Sequence, residues 1–138
     1  MNRSTSLLQC RPEISSALFF DAMSPDERFQ NKTLRPIIKM QADLFVAVFK
    51  NYIAKHKNVF YGLSLEKQIH YIENAIHKDM KFRNSLKGMI IGQFTLEEYS
   101  FYITNSSALN KRMMNIVKER FINDIQLFQK DNAVLKAI

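Results

Sequence analysis

The sequence predicts an all-α fold, a single compact bundle of about six helices, two of them long. Three observations carry that expectation. Apolar residues recur at intervals of three and four over most of the chain. Capping residues stand at the head of those runs. No stretch alternates apolar and polar residues long enough to make a strand. The length of 138 residues fits one domain, and 46% apolar with 24% charged residues is ordinary for a globular protein. Eleven Phe and seven Met supply core material. A chain this size buries about two thirds of its unfolded surface without covalent staples.

Residues 1–23 read as a weakly ordered or variable segment, because Ser4, Thr5, Ser6, Pro12, Ser15 and Ser16 punctuate it. Ile14 to Phe20 is its one apolar stretch, a short helix or a strap. The helical domain spans 24–130. Ser24 caps a short first helix, with Pro25 in its first position and Glu27 closing a capping box. It ends near Asn31. Thr33 caps the next helix, where Pro36 falls in the first turn and does no harm. Leu34, Ile37, Leu44, Phe45, Val48, Phe49 and Tyr52 keep its helical spacing to about Lys57. Such a helix is about 30 Å long or more.

Asn58 to Leu63 reads as a turn anchored by Phe60 and Tyr61. Ser64 caps a helix with Ile69, Ile72 and Ile76 on one face. Asp79 caps another, carrying Phe82, Leu86 and Ile90, with Gly92 as a left-handed terminator. Gly88 reads as a point where a second helix approaches closely. Thr95 and Glu98 form a second capping box, with Glu97 complementing the helix dipole. Asn105-Ser106-Ser107 breaks the chain, and the last helix runs from about Ala108 to Lys130. Residues 131–138 read as a C-terminal tail.

The composition excludes several function classes. Three glycines at 62, 88 and 92 cannot build a G-x-G-x-x-G or a P-loop. One cysteine, Cys10, cannot make an internal disulfide, a redox pair or a cysteine-rich zinc site. No apolar run approaches a membrane span, and the start lacks a signal-peptide core. A lone thiol suits a reducing interior, so the cytoplasm is the expected compartment. No constellation points to a catalytic residue or a cofactor. Adjacent Glu97 and Glu98 point about 100° apart on a helix and do not face each other.

His70, Glu73 and His77 form the one line with metal-ligand chemistry. Spacings of three and seven put them along one side of a helix. The two histidines stand two turns apart, too far to share one ion unless ligands arrive from elsewhere. The plainer reading is solvated polar residues beside a core face.

Charge is uneven. The net +7 has its origin in residues 32–87, which hold eleven bases and four acids, while 1–31 carry −1 and 88–138 carry +1. That asymmetry makes Lys39, Lys50, Lys57, Lys78, Lys81, Arg83 and Lys87 candidates for a polyanion-binding surface. On one continuous helix Lys39, Lys50 and Lys57 fall near a single line. The segment around Lys78-Asp79 has the outline of a helix-turn-helix, with Lys81, Arg83 and Asn84 at the head of its second helix. No nucleic-acid motif accompanies it.

Several residue groups carry a resemblance: Leu34-Arg35-Pro36 with Lys39-Met40-Gln41, Asn58 to Tyr61, Lys78-Asp79, Phe82-Arg83-Asn84 with Leu86-Lys87-Gly88, Ile91 to Thr95 with Glu97-Glu98-Tyr99, and Asn110 to Met113. Over about residues 32–128 the chain is similar to a small bacterial family of helical proteins, some labelled glyoxalase. The resemblance implies an all-helical fold and carries no site residues with it. The strands and the His/Glu or His-x-His-x-Asp-His ligand sets of the glyoxalases have no counterpart in the sequence.

The leading functional expectation is a helical interaction module that self-associates, most simply as a homodimer. Its motive is a surplus of apolar positions off the core faces: Met40, Val46, Ile53, Met114 and Ile122. A binder of nucleic acid or another polyanion through residues 32–87 is the first alternative. A small-molecule enzyme matching the glyoxalase label is the disfavoured one.

Overall fold

Side-chain caps fix five helix starts, one of them Asn2, whose Oδ1 accepts from the Thr5 N–H at 2.9 Å at the head of the first helix. Ser24 Oγ accepts from the Glu27 N–H at 3.1 Å, Ser64 Oγ from Lys67 at 3.4 Å, and Asp79 Oδ1 from Phe82 at 3.2 Å. Thr95 and Glu98 make the reciprocal capping box, at 3.1 and 2.8 Å. Each satisfies backbone donors that a helix start leaves open. In the computed structural model, residues 2–13 and 22–129 are described.

The elements follow in order: α1 (Arg3–Cys10), α2 (Pro25–Phe29), a π-helical segment (Gln30–Leu34), α3 (Arg35–Met40), α4 (Ala42–Lys55), a 3-10 turn (Val59–Gly62), α5 (Leu65–His77), α6 (Met80–Ile91), α7 (Leu96–Tyr102), α8 (Ser106–Asn123) and a closing 3-10 turn (Ile125–Phe128). The protein is all-helical, with no strand among the described residues. Because α2, the π segment and α3 run on without a break, they make one helical body, and the bundle has seven in all among those residues.

The core centres on Phe49 of α4, which is fully buried. Its ring meets Phe128 at 4.8 Å, Phe121 at 5.1 Å and Phe60 at 5.6 Å between centroids. One ring therefore ties α4 to α8 and to both 3-10 turns. Truncating such a residue costs about 3–5 kcal/mol. Buried Gln68 of α5 donates to the Phe60 carbonyl oxygen and exchanges amide hydrogen bonds with Gln129. The pair closes the same end of the bundle with its polar atoms satisfied.

Several expectations need correction. The helix expected from Thr33 to Lys57 is interrupted at Gln41, whose ψ of 5° lies outside the helical range. The Gln41 side chain donates instead to the Met89 carbonyl oxygen of α6. Thr33 caps nothing; it lies inside the π segment, where the chain runs through the break expected near Asn31. Gly92 has φ −59°, so it ends α6 without the left-handed conformation. Gly88 has open space where a Cβ would stand, so no helix approaches it closely. The last α-helix stops at Asn123 and hands over to the 3-10 turn.

Four of the five surplus apolar positions, all but Met40, find a home inside the chain. Ile53 and Met114 are fully buried, and Val46 and Ile122 pack against the core. Helices enclosed on more than one side bury more than a single stripe. Of the N-terminal segment, Arg3–Cys10 is helical. The stretch from Ile14 to Phe20 and the tail 131–138 lie outside the described residues.

Candidate functional site

The polar centre of the molecule is the junction of α1, the π segment and α7. Arg11 grips Glu98 with both guanidinium nitrogens, Nη1 to Oε2 at 2.5 Å and Nη2 to Oε1 at 2.6 Å. Thr33 Oγ1 donates to Glu98 Oε2 at 2.9 Å, and the Thr95 N–H donates to Oε1. The Arg11 and Glu98 side chains are only 6% and 14% exposed. Burial by itself raises the Glu98 pKa. The Arg11 guanidinium, the Thr95 N–H and the Thr33 hydroxyl outweigh it and hold the carboxyl below its ordinary value. Three of the four buried polar residues among those described, Asn31, Thr33 and Thr95, belong to this junction or its flank. A π-helical turn at such a place is a recurrent mark of a functional region.

A cleft of about 420 Å³ opens beside the junction. Its apolar walls are Leu8 of α1, Pro25 and Phe29 of α2, and Phe101 of α7. Thr33, Thr95 and Glu98 reach it from the junction, and Arg28, Lys32 and Glu97 stand exposed around it. None of these last three has an ion-pair partner among the described residues. No local pattern signals this grouping, because Arg28 and Lys32 lie more than sixty positions from Thr95 and Glu98.

A second cleft of similar volume lies between the end of α4 and the start of α6. Tyr52 Oη donates to Asp79 Oδ2 at 2.9 Å, pinning the two helices together. Burial, then that hydrogen bond, push the Tyr52 hydroxyl well above its ordinary pKa. The Phe82 N–H and the Tyr52 hydroxyl hold Asp79 below the usual carboxylate value. The His56 ring stacks on Tyr52 at 4.1 Å. Its Nδ1 lies 2.8 Å from the Tyr52 carbonyl oxygen, a contact that puts a proton on Nδ1. Lys55 and Lys81 line the cleft from opposite sides.

The polyanion candidates are distributed as follows. Lys39, Lys50, Lys57, Lys78 and Lys81 are exposed, while Arg83 and Lys87 are half-buried. The single line expected for Lys39, Lys50 and Lys57 is broken. Lys39 sits on α3 across the Gln41 interruption, and Lys57 lies past the end of α4 with φ 64°. Lys81 lines the second cleft with Lys55 and His56, which the candidate set omitted. Arg83 Nη1 lies 3.4 Å from His77 Nδ1. On the second helix of the helix-turn-helix outline, Lys81, Asn84 and Ser85 are exposed while Leu86 and Ile90 are fully buried.

His70, Glu73 and His77 do not converge. His70 Nδ1 is 3.4 Å from Glu73 in an exposed i,i+3 pair. His77 is turned toward Arg83, and its burial, then Arg83 and Lys118, lower its pKa. No group of three or more His, Cys, Asp or Glu is arranged to hold a metal among the described residues. No helix there is long and apolar enough to cross a membrane.

The most exposed apolar ridge runs along α7. Leu96 is 75% exposed, Ile103 57% and Tyr99 47%. Spacings of three and four align them on one face. Residues 88–110 contain no lysine or arginine, so the ridge sits on the charge-poor part of a chain whose net charge is +7.

No protein-family model matches the sequence, and no curated protein or solved structure is detectably similar to it.

Proposed function

We propose that this chain is a helical interaction module, a member of the bacterial helical family it resembles, and that it self-associates through the ridge of α7. The observation that carries the reading is the exposed line of Leu96, Tyr99 and Ile103. A second copy is the favoured occupant because lysine-rich surfaces repel their own kind, and this stretch has none. An exposed tyrosine between aliphatic neighbours, with few charges, is also the composition of an interface centre. The exposed Cys10 thiol suits a reducing compartment, for which the cytoplasm is the simplest choice.

Sedimentation tests this. The wild type is a dimer at about 50 μM, and Leu96→Lys with Ile103→Lys makes it monomeric without loss of helix content. A wild type that stays strictly monomeric overturns the reading.

The second reading is binding of a polyanion by the basic side of the molecule. It is favoured by the Tyr52–Asp79 bond, which joins the end of α4 to the start of α6 and gathers Lys55, His56 and Lys81 around aromatic rings. Cations beside stacked rings are what single-stranded nucleic acid recognition uses. Retention on heparin or single-stranded RNA at low salt, lost steeply as salt rises, is the expected result. No retention at low salt removes this reading.

A further inference from the structure

We propose that the cleft between α1, α2 with its π segment, and α7 is a binding site for a small amphipathic anion, an organic acid with an apolar body. This is separate from both readings above and uses neither the α7 ridge nor the α4–α6 cleft.

The shape comes first. A cleft of about 420 Å³ lies within the range of small-molecule sites. Pro25, Arg28, Phe29, Lys32 and Thr33 recur at helical spacing, so one face of the α2–π body supplies both an apolar wall and two cations. Phe101 and Leu8 close the apolar side. The Phe29 ring is held by Phe101 at 5.1 Å and by Phe94 at 5.6 Å, so that wall is rigid.

Charge then selects the headgroup. Glu98 reaches the cleft, but both its oxygens are taken by Arg11, Thr33 and the Thr95 N–H, and the Arg11 guanidinium neutralises it. That leaves Arg28 and Lys32 against Glu97, an excess of one positive charge with no ion-pair partner among the described residues. A carboxylate bridging Arg28 and Lys32 satisfies that excess. Hydroxyl chemistry adds a second anchor. Thr95 Oγ1 accepts from the Glu98 N–H, which leaves its own proton to donate into the cleft.

Titration of the full chain with 4-phenylbutyrate and with 4-phenylbutanol, followed by calorimetry and amide NMR, tests the proposal. The two probes share the apolar body and differ in the charge. The acid binds about tenfold or more tighter than the alcohol, and the perturbed amides include Phe29, Thr33 and Thr95. Arg28→Glu with Lys32→Glu, two exposed positions, weakens the acid about tenfold or more while leaving the circular dichroism spectrum unchanged. Lys55→Glu with Lys81→Glu, in the other cleft, leaves binding as it was. Equal binding of acid and alcohol, no binding at millimolar concentration, or perturbations confined to Tyr52 and Phe82 each overturn it.

Discussion

Glu98 accepts four hydrogen bonds on its two oxygens, from Arg11 twice, from Thr33 and from the Thr95 backbone. Its folded pKa lies below its ordinary value near 4.5. The stabilisation it contributes is therefore fully present above about pH 4.5 and is lost as pH falls toward the folded pKa. Glu98→Gln keeps two acceptor contacts but strands the Arg11 guanidinium, at a cost of about 3 kcal/mol at neutral pH. The gap between wild type and variant shrinks at pH 3.5, below the ordinary carboxyl value, because protonation of the unfolded chain erodes the wild type's advantage there. Urea denaturation at both pH values measures it, and a gap that does not change with pH contradicts the assignment. Thr95 acts more locally. Thr95→Ala removes one cap and costs about 1 kcal/mol.

At the scale of elements, legibility follows sequence distance. The caps at Ser24, Ser64, Asp79 and Thr95 were readable because donor and acceptor lie three residues apart. The π segment and the break at Gln41 were not, because their partners come from elsewhere. Thr33 meets Glu98 65 positions away, and Gln41 meets Met89 48 positions away. Ile53 and Met114 looked surplus because a one-face pattern cannot count how many neighbours a helix has. The sequence placed Lys81 on a basic surface, but its cleft with Lys55 and His56 depends on the Tyr52–Asp79 bond.

The first helix makes a separate case. It buries no residue, and its long-range bonds come from Arg3 and Arg11 just at or beyond its two ends. Amides of α1 therefore exchange with solvent by local opening, far faster than those of α5 and α8, which pack on each other in the core. Arg11→Ala speeds that exchange further. Hydrogen exchange that is equally slow in α1 and α8 contradicts this account of the first helix.

Along the sequence the basic excess falls in residues 32–87, while residues 88–110, which include α7, hold no lysine or arginine. The two proposed contacts respond oppositely to salt. Screening weakens the hold of lysines on a polyanion. The same screening relieves repulsion between two copies that each carry +7. Raising sodium chloride from about 50 to about 500 mM therefore releases the chain from heparin and strengthens its self-association. Sedimentation and heparin elution on one preparation check both, and a dimer that dissociates as salt rises counts against the α7 contact.

The arginine grip on Glu98 also sets an order of events during synthesis. Arg3 and Arg11 are made more than eighty residues before their acceptors at Gly92, Gln93, Phe94 and Glu98. At about 5–20 residues per second that delay lasts roughly 4 to 17 seconds. Through it, α1 has no site to dock on while α2 to α6 emerge behind it. The α1 segment is made well before the surface that fastens it.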